Sequence, residues 1–305
     1  MTAAGGSTRF EVTVPGSTAN LGSGFDALGM ALDLRDVVRF EVVDGPAGSA
    51  RVTVDGQGAR GVPTDERHLV VRTALRTLAE LGAPAPALEL TCRNAIPHSR
   101  GLGSSAAAIV AGVAAGHELA GQPLRGAALD GAVQLAASVE GHADNAAASL
   151  LGGLVIAWSE GERFRATRLE PHAQLHPVAL VPESESSTHT TRGLLPERIP
   201  HGDGVFAAGR AALAVHALTS APELLLAATE DRLHQDYREA AWPGSVALVR
   251  RLRAAGVPAA ISGAGPTVLA LPETGEVPAE VDLGEFSALG IPVDRDGVVL
   301  NRFDT

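Results

Sequence analysis

Residues 96–108 read Ile-Pro-His-Ser-Arg-Gly-Leu-Gly-Ser-Ser-Ala-Ala-Ala, a proline-fixed, glycine-rich bend that runs straight into an alanine-rich helix. Glycine lets a backbone approach a ligand closely, and the first turn of a helix offers unpaired N–H groups to an anion. Such a bend can cradle phosphate. The chain contains no lysine, so the phosphate loop G-x-x-x-x-G-K-[ST] is excluded. A nucleotide bound here must be held without an ammonium side chain.

The rest of the composition narrows the class. A length of 305 residues suits one large domain or two moderate ones. Hydrophobic residues make up 45% but aromatics only 3%, so the core must be packed with Ala, Val and Leu. A net charge of −11 without any basic block argues against a nucleic-acid partner. Cys92 is the only cysteine, which excludes an intramolecular disulfide and Cys-rich zinc sites. Met1 to Thr8 lacks the apolar run of a secretory signal. The nearest thing to a membrane span, Ala106 to Ala120, is interrupted by Gly, His117 and Glu118. A cytoplasmic protein with no membrane partner is expected.

Periodicity and turn residues predict strands at Arg9–Val14 (ended by Pro15-Gly16), Val37–Val43, Arg51–Val54, Leu88–Thr91, Leu154–Trp158, Arg165–Leu169 and Pro177–Val181. Helices are predicted at His68–Leu81, Ser105–Ala120, Leu124–Val139, Ala146–Leu151, Val205–Leu218, Glu223–Arg232 and Ser245–Ala255. Ala259–Ile261 enters a second glycine turn, Ser262 to Pro266, and Thr267–Leu271 leaves it as a strand. A last strand is expected at Val298–Leu300. This is an α+β pattern. We read it as two joined lobes, residues 1–163 and 164–305, because the composition changes after about Glu160.

Four further segments carry possible chemistry, each with a plain alternative. Gly101 to Ala106 also fits the dinucleotide fingerprint G-x-G-x-x-[GA], but that reading needs a strand directly before the first glycine and an acid at the end of a second strand. Here 94–100, with Pro97 inside it, intervenes, and the nearest acid, Glu118, falls within the helix. Asn20 to Gly29 is either a solvated loop or a substrate wall whose Asp26 can meet an ammonium or a hydroxyl. Glu140, His142 and Asp144 crowd one helix end, as a pocket edge or as ordinary caps and surface groups. Arg192 and Arg238 are either surface residues or planar forks for a carboxylate.

Taken together, Pro15 to Asp26, Pro97-x-x-Arg100-Gly-Leu-Gly-Ser-Ser-Ala-Ala and Ser262-Gly-Ala-Gly-Pro-Thr resemble three motifs of the GHMP small-molecule kinases, in order and spacing, from Phe10 to Val299. The Ala19–Asp26 string, Glu140-Gly-His-x-Asp-Asn and Ser187-Thr-x-x-x-Arg192-x-x-Leu-Pro are most similar to the branch that phosphorylates an amino-acid alcohol. Two departures are Ala143, where the family usually has Pro, and Thr191, where it often has Ala.

The resemblance implies a two-lobed GHMP kinase fold. Its N-terminal lobe is like ribosomal protein S5 domain 2, with a left-handed βαβ unit, and its C-terminal lobe is ferredoxin-like. It implies ATP-dependent phosphorylation of the side-chain hydroxyl of L-homoserine, a step of threonine biosynthesis. Pro97, His98, Ser99, Arg100, Gly101, Leu102, Gly103, Ser104, Ser105, Ala106 and Ala107 would bind ATP, with Arg100 adding positive charge. Ser105 and Glu140 would hold Mg²⁺. Asn20 and Asp26 would meet the substrate ammonium; Arg192 and Arg238 would grip its carboxylate, with His142 nearby; Asp144 would contact the attacking hydroxyl, and Asp144 and Arg192 would be the catalytic pair. A homodimer is implied by family likeness alone. The alternatives are another small alcohol, mevalonate- or sugar-like, and a non-catalytic ATP-binding sensor.

Overall fold

The computed structural model describes residues 9–184 and 193–303. Its first strands, β1 (Arg9–Asn20) and β2 (Gly24–Val43), form one long antiparallel hairpin. Pro15-Gly16 does not end β1 as predicted. The pairing shifts register between these two residues and then continues to Asn20, so the proline sits at a bulge, where a missing N–H is tolerated. The first half of β2 was hidden for a different reason. Residues 28–32 are all buried, and a strand covered on both faces shows no alternation.

β3 (Ala50–Gly56), α1 (Leu69–Glu80) and β4 (Ala87–Asn94) follow, with β3 and β4 paired in parallel, so α1 is the crossover of a βαβ unit. Next come α2 (Ser104–Leu119), α3 (Ala127–Glu140), α4 (Asp144–Leu151) and the hairpin β5 (Leu154–Glu160) with β6 (Arg163–Leu169). Among the described residues the first sheet has seven strands: the path β11 (Val299–Arg302)-β1-β2-β4-β3, with β5 on β2 and β6 on β5. Helix α2 packs against α1, α3 and α4 and lies on β1. Its alanine and glycine surface explains how a core with so few aromatics closes: a Cβ added at Gly116 would stand 2.4 Å from Thr77 Cβ of α1. The helices therefore pack at short range rather than around large side chains.

The chain then passes to a second sheet. β7 (Val178–Val181), α5 (His201–Thr219), α6 (Leu225–Ala228), α7 (Pro243–Ala254), β8 (Ala259–Ile261), β9 (Val268–Ala270) and β10 (Ser287–Gly290) lie in this half, and the strand order β10-β7-β9-β8 is antiparallel throughout. Helix α7 packs on β8 and β9, and Leu180, Leu248, Leu252, Ile261 and Val268 form the core there. β11 (Val299–Arg302) returns to pair with β1, and Ala214, Ala217 and Leu218 of α5 join the first lobe's core.

The helix predicted over Glu223–Arg232 is shorter. A 3₁₀ turn at Pro222–Leu224 leads into α6, which stops at Ala228. The Asp231 carboxylate accepts from the amides of Leu233, His234 and Gln235, which draws the backbone into a new turn. The exposed edge strand β10 carries no burial pattern and was not foreseen. Among the described residues no helix is long and apolar enough to cross a membrane.

Candidate active site

The motifs meet in one cleft. A cavity of about 680 Å³ is lined by the loop after β4 together with Asn20, Asp26, Glu140, His142, Asp144 and Arg238. Pro97 to Ser105 and Ala107 reach this cavity, whereas Ala106 is fully buried in the core beneath it. Arg192 lies outside the described residues, with all of 185–192.

The loop owes its shape to backbone signs. Ser99, Gly101 and Gly103 have φ of 55°, 77° and 71°, so alternate residues curl the main chain into a concavity that exposes amides. Gly103 is the residue before α2, its carbonyl accepts from Ala107 N at 2.8 Å, and no side-chain hydrogen bond caps the helix. The amides of the first turn therefore remain for a ligand. A Cβ at Gly103 would fall 2.1 Å from Ser17 Oγ and 3.0 Å from Ser17 N. Only glycine fits against β1, which is stitched to the loop by Ser17 N donating to Leu102 O.

Asp36, on β2, was not singled out from the sequence. Its Oδ1 accepts from Ala95 N at 2.7 Å and Ile96 N at 2.9 Å, where β4 has run out of strand partners. The carboxylate thus starts the loop. Burial pushes its pKa up to about 6, although the two amides pull it down. Because the folded value lies above the unfolded one, its contribution to stability is complete at low pH and is lost as pH rises through about 6. Asp36→Asn keeps the acceptor and removes the charge. The variant is therefore expected to gain thermal stability relative to the parent between pH 5 and pH 7.5; melting curves across that range check it. Neighbouring Cys92 is not a nucleophile in waiting, since burial pushes its thiol up to about 12.

At the next corner, Ser105 Oγ donates to Glu140 Oε2 at 2.8 Å. Glu140 ends α3, and burial raises its pKa, with His142 opposing the rise. A desolvated carboxylate beside a hydroxyl is a poor resting place for a charge and a good one for a cation. Among the described residues no cluster of three or more metal-binding side chains occurs.

The remaining groups sit at the other end of the cleft. Asp144, 2% exposed, opens α4; its Oδ1 accepts from His142 Nδ1 at 2.8 Å and from Asn145 N at 2.7 Å. Asn145 Oδ1 in turn accepts from Ser17 Oγ. Asn20 is buried and engaged at both ends of its amide: Nδ2 donates to Gly263 O and Oδ1 accepts from Asp26 N. Asn20, Leu21 and Asp26 all have positive φ (72°, 47° and 55°), a concentration of backbone strain of the kind found at ligand sites.

Arg238, 2% exposed, donates from Nη1 to Gly263 O at 2.6 Å and lies 3.2 Å from His234 Nδ1. His234 Nε2 is 2.8 Å from Gly22 O, a group that only accepts, so Nε2 carries the proton and Nδ1 accepts from Arg238. Burial lowers the pKa of His234 and keeps it neutral in that role. The sequence points to Arg238 but not to the histidine that aims it, because that histidine is itself fixed by Gly22 O, far away in the chain.

Residues 68–153 match the family description "GHMP kinases N terminal domain" and residues 210–281 match "GHMP kinases C terminal". The chain belongs to the GHMP kinase family. This GHMP kinase is 52% identical to the homoserine kinase of Streptomyces avermitilis over 263 residues, covering 85% of this chain and 84% of that one. With the homoserine kinase of Rhodococcus opacus the identity is 48% over 301 residues, covering 93% and 95%. Among solved structures, a homoserine kinase from Cytophaga hutchinsonii superposes with a TM-score of 0.81 at 26% identity, covering 98% and 99%. The L. major mevalonate kinase shares the fold, with a TM-score of 0.62 at 17% identity over 96% and 97% of the two chains. The two-lobed α+β fold implied by the motifs is thus the fold of this chain.

Proposed function

We propose that this GHMP kinase transfers the γ-phosphoryl group of ATP to the side-chain hydroxyl of L-homoserine, giving O-phospho-L-homoserine and ADP, a step of threonine biosynthesis. ATP and Mg²⁺ are the usual donor and metal of the family. The observation that carries the substrate assignment is the pairing, in one cleft, of the glycine concavity with a buried Arg238 and the carboxylates of Asp26 and Asp144. Homoserine is a zwitterion, and burying it requires opposite charge at each end. Asp26, held by Asn20, meets the ammonium. Arg238, with Arg192, grips the carboxylate, and His142 stands beside it. Two arginines suit an amino acid better than a sugar.

On the nucleotide side, the main chain of 97–107 and the start of α2 face the phosphates. Val38, Val62, Pro63, Leu69 and Val70 give the cleft an apolar wall for the base. Ser105 and Glu140 would hold Mg²⁺, which when bound neutralises charge on the phosphate oxygens. Phosphoryl transfer asks the protein mainly for position. Asp144 supplies it: with Oδ1 fixed by His142 and Asn145, Oδ2 remains to take a hydrogen bond from the substrate hydroxyl and to receive its proton.

A panel of L-homoserine, L-serine, mevalonate and galactose, followed by ADP release, tests the assignment. Turnover should be confined largely to L-homoserine. Preference for mevalonate or galactose would reject the substrate, and ATP binding with no turnover of any alcohol would make the protein a sensor.

A further inference from the structure

We propose that Arg100 is a positioning residue that fastens the nucleotide loop to the second lobe and thereby makes amino-acid binding depend on nucleotide binding. The inference builds on the kinase reading above. Its basis is where the guanidinium goes. Nη1 donates to His98 O within the loop at 2.9 Å, while Nε donates to Pro182 O at 3.0 Å and Nη2 to Glu183 O at 2.6 Å, just beyond β7 of the second lobe. Three donors of the planar fork are thus engaged with backbone carbonyls, a geometry an ammonium cannot reproduce.

The main chain of the same residues continues the attachment. Arg100 O accepts from Thr267 N at 3.3 Å, and Gly101 O accepts from Ser262 Oγ at 2.5 Å. A Cβ at Gly101 would stand 2.4 Å from Ser262 O, so the two backbones are already as close as glycine allows. The turn they join is the one that organises the amino-acid end. Its next carbonyl, Gly263 O, accepts from both Asn20 Nδ2 and Arg238 Nη1. Main-chain hydrogen bonds of Arg100 and Gly101 therefore run from the loop that wraps phosphates to the turn that carries the groups for the substrate's two charges, and the Arg100 guanidinium adds a second tie, to 182–183, that holds the loop against that lobe. A nucleotide that orders the loop also orders the turn, and the amino acid then binds to a site whose ordering is already done.

The test is the affinity of the intact protein for L-homoserine by calorimetry, with and without a non-hydrolysable ATP analogue and Mg²⁺. In the parent protein the analogue is expected to tighten homoserine binding about tenfold, within the usual range of coupling between sites. In Arg100→Met and in Arg100→Lys, at analogue concentrations shown by titration to saturate each variant, that ratio should fall toward one, with circular dichroism and melting temperature confirming the fold. A parent ratio of one overturns the proposal. So does a ratio preserved in both variants, or one restored by lysine, which would make Arg100 a simple charge for the phosphates. Failure of the kinase reading shows separately, as absence of ADP release by the parent with L-homoserine.

Discussion

Asp144→Asn is expected to lower kcat for L-homoserine phosphorylation by about 10²–10⁴-fold, the loss typical of a removed general base, with the KM for homoserine little changed. Asparagine is close to isosteric. Its Oδ1 can still accept from His142 Nδ1 and from Asn145 N, the two bonds that fix the aspartate. The packing at the start of α4 therefore survives, and what is lost is the negative charge and the capacity of Oδ2 to accept the hydroxyl's hydrogen bond and its proton. Steady-state kinetics with both substrates varied separates the possible roles. A fall confined to kcat marks a group needed in the transition state. Unchanged turnover would show that the phosphoryl oxygens accept the proton themselves, which a loose transition state permits, and Asp144 would then be a binding group. His142→Asn offers an internal comparison, since it leaves the carboxylate but removes one of the two bonds that orient it.

The parts of this site that could be read in the sequence are those whose chemistry is local. The glycine spacing of 101–103, the serines after it and the Ala-rich helix follow one another in the chain, so the phosphate concavity is visible before any folding is known. Glu140, His142 and Asp144 are legible for the same reason: three titratable groups at one helix end. Asp36 and His234 were not legible as parts of the site. Each acts on a partner brought close only by the tertiary structure, Ala95 and Ile96 in one case and Gly22 in the other. In the fold, the long helices were placed within a few residues, while β2 and the helix after Pro222 were misjudged. Burial on both faces erased the period of the first, and the Asp231 carboxylate diverted the second. Arg100 has a contact pattern the sequence does not show: beside the charge that a basic residue brings to a phosphate loop, three of its donors meet backbone carbonyls.

Arg238→Leu should raise the KM for L-homoserine on the order of 10- to 100-fold and leave the KM for ATP nearly unchanged, because a hydrogen bond to a charged group contributes about 1.5–3 kcal/mol. Two consequences of the same substitution need to be kept apart. Arg238 is almost wholly buried, and removing it also deprives Gly263 O and His234 Nδ1 of a donor. Asn20 Nδ2 continues to donate to Gly263 O, so the turn keeps one of its two supports, but His234 is left with an unmet nitrogen and the protein should melt at a lower temperature. Arg238→Lys separates the effects. An ammonium can replace the single bond to Gly263 O and recover much of the stability, whereas it lacks the fork that grips a carboxylate at two points. Homoserine KM should therefore stay high in the lysine variant while the melting temperature recovers. If both variants raise the two KM values equally, Arg238 does not face the carboxylate, and the charge that receives it must be sought elsewhere in the cleft.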